Sequence, residues 1–120
     1  MLYGIGVDNV EVARMVKAMQ RESFVKRMLT APEFERFSCL QTEKAKSEFL
    51  AGEWAAKEAY SKAYGTGYNG ELSPLDMTVA SDAKGKPYFA AHPFDGVAQL
   101  SMTHDGGIAT AIVTLEVRDD

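Results

Sequence analysis

Glu58 and Lys62 stand one helical turn apart in EWAAKEAYSKAYGTG, residues 53–67, just ahead of two glycines, Gly65 and Gly67, that mark a helix stop. A carboxylate and an ammonium so placed can hold a metal and a phosphate side by side. Two more chemical groups join them from far along the chain. Asp8 follows an apolar run in GIGVDNVEVAR, and His104 ends SMTH. Each also has an ordinary reading. Glu58 and Lys62 alone make an i,i+4 helix pair contributing ~0.3 kcal/mol. Asp8 alone can cap the helix that follows, and His104 alone can be a packed or surface histidine.

The elements that must position these groups follow from local pattern. Leu2 to Val7 mixes β-branched and aromatic residues with Gly4 and Gly6, which predicts a strand open to close backbone approach, with Asp8 at its exit. Val12, Met15, Val16 and Met19 recur at helical spacing and predict a helix from Glu11 to about Glu22, with Arg14, Lys17 and Arg21 on another face. TAPE, residues 30–33, is a capping-box start for a short helix through Phe37. Thr42 to Tyr64 lacks proline and is rich in Ala, Glu and Lys, so it predicts the longest helix. Phe49, Gly52, Ala56, Ala59, Tyr60 and Ala63 give that helix an apolar stripe. Ala51, Ala55, Glu58 and Lys62 lie opposite, where small residues admit another element or a ligand.

Beyond this helix the period falls to two. Met77–Ala80, Pro87–Ala90, Ala98–Met102 and Ile108–Val117 predict strands, with turns at 82–85 and 105–107. The fold class is therefore α+β, one long central helix packed against an antiparallel sheet, in a single domain spanning 1–120.

Composition bounds the function. With 46% hydrophobic and 25% charged residues, 120 residues make one soluble globular unit. The net charge of −4 argues against a broad nucleic-acid surface, which needs clustered cations against many phosphates. The single cysteine, Cys39, excludes an internal disulfide framework, and no apolar run reaches the roughly 18 residues of a spanning helix. A cytoplasmic protein, free of membrane and nucleic acid, is expected.

The ordered set GIGVD, LTAPEFERF, FLAGEWAAKEAYSKAYGTG, GKPY and SMTH resembles the holo-acyl-carrier-protein synthases, the small single-domain branch of the 4′-phosphopantetheinyl transferases, over nearly the whole chain. The resemblance implies transfer of the 4′-phosphopantetheine arm of coenzyme A to a serine of apo-acyl-carrier protein, in support of fatty acid biosynthesis, with release of adenosine 3′,5′-bisphosphate. It implies Asp8 and Glu58 as Mg²⁺ ligands, Lys62 on the coenzyme A phosphates, and His104 near the cofactor, with Thr103 in place of a more usual serine. Gly65, Gly85, Pro87 and Ser101 fall where the family cradles the co-substrate. Arg14, Lys17 and Arg21 fall where an acidic carrier helix would dock, and Met15, Met19 and Phe24 lie near that face. A homotrimer with active sites at subunit interfaces is implied as well.

Two positions depart from the family pattern: Glu53 where relatives often carry arginine, and Asn9 in place of an apolar residue. A glutamate at 53 repels a phosphate that an arginine would attract. The base that activates the acceptor serine stays open among Glu58, Asp8 through a metal-bound water, and a group on the carrier. The alternative from another class is a noncatalytic adaptor that binds an acidic partner through the basic helix. A metal-dependent phosphohydrolase would use the same two acids without a carrier.

Overall fold

The structure, a computed structural model, describes residues 1–65 and 72–119. Three antiparallel strands, β1 (Leu2–Glu11), β4 (Val97–Asp105) and β5 (Ile108–Glu116), form a sheet in the order β1-β5-β4. Strands β2 (Thr78–Ser81) and β3 (Pro87–Ala91) make a separate hairpin. Four α-helices, α1 (Val12–Ala18), α2 (Glu22–Met28), α3 (Ala31–Ser38) and α4 (Glu43–Tyr64), lie between β1 and the hairpin in sequence. Among the described residues the α+β architecture and its central helix match expectation.

The 22-residue α4 begins where the Thr42 hydroxyl accepts the Ala45 N–H at 3.0 Å and stops at Gly65, whose φ of +100° ends the helix in the left-handed region. Gly67 lies outside the described residues. The helix crosses the sheet at very short range. A side chain at Gly4 or Gly6 would overlap the carbonyl oxygens of Ala63 and Ala59, so only glycine lets β1 approach this closely.

Buried residues surround α4 rather than forming one stripe. Leu50, Ala51, Ala55, Ala56, Ala59 and Tyr60 are all fully buried, because the sheet covers one side and α1 and α3 pack on others. Ala51 and Ala55 are thus core residues covered by protein, while Glu58 is half-buried and Lys62 exposed. Phe49, expected in the stripe, is partly buried at its margin.

Strand β4 runs Val97–Asp105 rather than Ala98–Met102, and two other boundaries also differ from expectation. Strand β1 does not end at Val7: Asp8, Asn9, Val10 and Glu11 continue the ladder opposite Ala111, Thr110, Ala109 and Ile108. The Thr110 hydroxyl donates to the Asn9 side chain at 2.7 Å, and Val10 enters the core, so residues expected beyond the strand's exit are held within it. The basic helix is also shorter than predicted. It closes at Ala18, the Gln20 amide donates to the Val16 carbonyl at 3.2 Å, and Arg21 is extended before α2 starts.

The capping box at Thr30 forms as predicted and leads into a buried ionic cluster. Glu33 Oε1 accepts the Thr30 N–H at 2.8 Å and Lys57 Nζ at 2.6 Å, while Oε2 accepts the Val79 N–H at 2.7 Å. Lys57 also donates to the Met28 carbonyl at 2.6 Å. The pair links the end of α2, the start of α3, α4 and β2 in the protein interior. Burial alone would raise the Glu33 pKa, but the hydrogen bond from Glu53, the Lys57 charge and the other donors hold it below the ordinary value.

Candidate active site

Asp8 and Lys62 meet where β1 crosses the last turns of α4. Lys62 Nζ lies 2.9 Å from Asp8 Oδ1 and donates to the Val7 carbonyl at 3.1 Å. The carboxylate is 18% exposed and the ammonium 53%, so the pair opens to solvent at the lysine end. Its position follows from the glycine-permitted contact between strand and helix, because Gly6 and Asp8 share the strand face that meets α4.

Glu58 joins this pair one turn earlier on α4. Burial raises its pKa first and the nearby Asp8 charge raises it further, against the opposing charges of Lys62 and Arg14. Among the described residues no hydrogen bond stabilises the Glu58 carboxylate. Two adjacent carboxylates, one of them partly desolvated, form a donor set that a hard divalent cation satisfies. Mg²⁺ commonly takes one or two protein carboxylates and completes its shell with water and substrate oxygens, so the residues fit that ion. Among the described residues no cluster of three or more His, Cys, Asp or Glu forms, and Mg²⁺ does not need one.

His104 stands elsewhere in the same chain. It lies on β4, at the opposite edge of the sheet from β1, where it pairs with Ala109 of β5 on the face that meets α4. Gly52 of α4 lies against this part of β4: a methyl group there would crowd Met102 Cε at 2.9 Å and reach ordinary contact, 3.7 Å, with His104 Nε2. Pro87, Arg36, Phe49 and Glu53 line a cavity of about 310 Å³ with this histidine.

A family model described as the 4′-phosphopantetheinyl transferase superfamily matches residues 4–114. The chain belongs to this superfamily. Within the superfamily, it is 51% identical over 117 residues to a holo-[acyl-carrier-protein] synthase of Lactococcus lactis subsp. lactis, covering 97% of this chain and 98% of the relative. The crystal structure of a holo-(acyl-carrier-protein) synthase from Bacillus anthracis in complex with CoA (3′,5′-ADP) superposes with a TM-score of 0.91 at 40% identity, covering 98% and 99% of the two chains. A Helicobacter pylori holo-[acyl-carrier-protein] synthase in complex with coenzyme A gives 0.80 at 31%, covering 93% and 99%.

In this superfamily member the remaining predicted positions are dispersed. Gly65 caps α4 close to Lys62 in sequence, and Gly85, with φ +86°, shapes the turn between β2 and β3. That turn is held by Asp82 Oδ1, which accepts the N–H groups of Lys84 and Lys86, each at 2.9 Å. Ser101 is brought to neither group. It pairs with Ile112 on the sheet face away from α4, three residues and one face removed from His104.

Arg14, Lys17 and Arg21 do converge, although Arg21 lies beyond the end of α1. They line a groove of about 430 Å³ whose apolar surface includes Met15, Ala18, Phe24 and Trp54. Met15 is buried in the core, while Phe24 is partly buried, its ring 5.7 Å from Trp54 and tilted 54° to it. Arg14 belongs to both regions, since its charge reaches Glu58. Helical spacing placed it on a basic face, and the family resemblance gave that face to docking; its proximity to Glu58 depends on the packing of α1 beside α4.

Proposed function

We propose that this chain is a Mg²⁺-dependent holo-acyl-carrier-protein synthase, transferring 4′-phosphopantetheine from coenzyme A to a serine of apo-acyl-carrier protein. The observation that carries this reading is the convergence of Asp8, Glu58 and Lys62 across the contact between β1 and α4. In the reaction the serine oxygen forms a bond to the β-phosphorus. The bond from that phosphorus to the bridging oxygen breaks, and adenosine 3′,5′-bisphosphate departs with the electron pair.

Asp8 and Glu58 would hold the ion, and Mg²⁺ supplies charge neutralisation at the pyrophosphate. Lys62 adds a compact positive charge beside them, suited to charge that grows on the departing phosphate. Its exposed side chain can turn from Asp8 to a phosphate oxygen without leaving a buried charge unpaired. Burial and the Asp8 charge raise the Glu58 pKa, which makes Glu58 one candidate to take the serine proton, beside Asp8 and a group on the carrier.

Self-association into a homotrimer completes this reading. Tyr3, Ile5, Val7, Ile108 and Ile112 are exposed, and they lie on the sheet face that α4 leaves uncovered. The cluster at Asp8 and the cavity at His104 lie at opposite edges of one sheet, so neighbouring copies can place one beside the other across an interface. The basic groove of Arg14, Lys17 and Arg21 offers an acidic carrier both charge complementarity and an apolar floor.

The cytoplasm and fatty acid biosynthesis are the setting that suits this activity; no described helix is long and apolar enough to cross a membrane. The adaptor reading leaves the cluster at Asp8, Glu58 and Lys62 without a purpose. Mass analysis of a carrier incubated with coenzyme A and Mg²⁺ tests the proposal.

A further inference from the structure

Tyr60 sits on α4 midway between Glu58 and Lys62, about 200° around the helix from each, so it leaves the side opposite to them. The residue is fully buried, and its hydroxyl is the meeting point of two hydrogen bonds. Tyr60 Oη accepts the Phe94 N–H at 2.9 Å and lies 3.1 Å from His92 Nδ1. With Oη already accepting from Phe94, the phenol's own proton is directed at Nδ1, which assigns the proton of neutral His92 to Nε2.

Both partners belong to residues 92–96, the connection from β3 to β4. That segment is itself tied down. Arg118 donates to the Gly96 carbonyl at 3.2 Å, and the Phe94 ring lies 4.8 Å from Tyr3 at the start of β1. A side chain at Gly96 would overlap the Phe94 ring and the Glu116 carbonyl, so the segment is pressed against the end of β5. The Tyr60 hydroxyl therefore fastens α4 to a segment that β1 and β5 hold in place.

The fastening bears on the site because the same turns of α4 seat β1. The carbonyl oxygens of Ala59 and Ala63 stand where a side chain on Gly6 or Gly4 would be. At that range a small rotation or slide of α4 either collides with β1 or opens the contact that brings Lys62 to Asp8.

We propose that Tyr60 is a positioning residue for the transfer reaction: its hydroxyl, held between the Phe94 N–H and His92 Nδ1, fixes the last turns of α4 so that Glu58 and Lys62 face Asp8. This rests on the transferase reading and acts only through the neighbours of Tyr60 on α4. The anchor depends on the charge state of His92. Protonation turns Nδ1 into a donor, and the phenol proton loses its acceptor. Burial, then the Arg118 charge, lower the His92 pKa, while Tyr64 and Asp76 are the titratable groups that act on Tyr60 itself. Because the folded pKa of His92 is lowered, the anchor's contribution is present above the unfolded value and is lost as pH falls through the folded one.

The test compares steady-state transfer by the wild type, Tyr60→Phe, His92→Leu and His92→Asn at saturating Mg²⁺. Asparagine keeps an acceptor oxygen close to the place of Nδ1 and does not titrate, whereas leucine keeps only apolar volume. Above the His92 titration, kcat of Tyr60→Phe and His92→Leu should fall about 5- to 10-fold with KM for coenzyme A unchanged, the loss of one orienting hydrogen bond. His92→Asn should keep the wild-type kcat and lose the part of the acid-side decline that His92 causes. A purely structural role would lower the unfolding temperature and leave kcat of the folded protein alone. Wild-type kcat in folded Tyr60→Phe would overturn the proposal.

A second measurement needs neither turnover nor a folded Tyr60→Phe. As pH falls in metal-free wild-type protein, the Gly4 and Gly6 amide NMR signals should carry a component with the midpoint of the His92 ring, and this component should vanish in His92→Asn. Amides that ignore the His92 titration while a carrier is modified normally would sink the role given to Tyr60 by itself. If the wild type never modifies a competent carrier, the transferase reading fails, and the amide titration still decides whether Tyr60 sets α4 against β1.

Discussion

Lys62 Nζ sits 2.9 Å from Asp8 Oδ1 although 54 residues separate them in sequence. The contact exists because Gly4 and Gly6 let β1 lie directly on α4, so the backbone approach that shapes the fold also assembles the site. Because the lysine is more than half exposed, this ion pair contributes little to stability. Lys62→Met should shift unfolding free energy by less than about 1 kcal/mol in urea titrations. Transfer should fall on the order of 100-fold, as for loss of a group that stabilises transition-state charge. A large loss of stability with near-normal turnover would assign Lys62 a structural role instead.

Asp8→Asn removes a like charge from beside Glu58. Ionised Glu58 then becomes easier to form, so its pKa should move down toward the ordinary carboxylate range, while burial keeps it somewhat raised. A carbon-detected NMR titration of the Glu58 side chain in metal-free protein reads this directly. In the wild type, protonation of Glu58 competes with the cation, so Mg²⁺ affinity should weaken as pH falls through the Glu58 pKa. An unmoved Glu58 titration in Asp8→Asn would separate the two carboxylates.

Lys57→Met should be far more damaging than Lys62→Met, although both lysines contact a carboxylate. Lys57 and Glu33 are completely buried, and removing the lysine leaves an uncompensated charge in the core. The expected cost is about 3–5 kcal/mol in denaturant unfolding. Adding Glu33→Gln to that variant should recover part of the loss. A double variant less stable than Lys57→Met would show that Glu33 is held mainly by Thr30 and Val79.

Glu53 and Glu33 give opposite pH dependences of stability. The folded pKa of Glu53 is raised, so its favourable contribution is present below the unfolded value and is lost as pH rises through the folded one. The folded pKa of Glu33 is lowered, so its contribution is present above the unfolded value and is lost as pH falls through the folded one. Glu53→Gln should therefore flatten the decline in stability on the alkaline side of the ordinary carboxylate range and leave the acid limb in place. Unfolding free energies across pH will show whether the alkaline decline survives the substitution; if it does, Glu53 is not its source.

Much of this arrangement was legible in the sequence because local rules governed it. Thr30 with Glu33 and Gly65 after α4 are capping signals whose partners lie within a few residues, and both form as expected. Asp8 and Glu58 were placed near one another through family resemblance; their distance in the chain gave no local sign. The continuation of β1 past Val7 escaped notice because its support comes from Thr110, a hundred residues away. Glu53 stood out only as a departure from the family pattern, and its burial by partners on α3 and α4 comes from tertiary packing. The opposite facing of Ser101 and His104 follows from strand alternation once both lie in β4.

Intact-mass spectrometry of apo-acyl-carrier protein incubated with the chain, coenzyme A and Mg²⁺, beside a sample containing a chelator, tests the central claim most directly. The account predicts a carrier mass increased by one phosphopantetheine, absent with chelator and absent when Asp8→Ala or Glu58→Ala replaces the wild type in folded form. An unmodified carrier that a known synthase can convert, or full modification by either variant at saturating Mg²⁺, would contradict it.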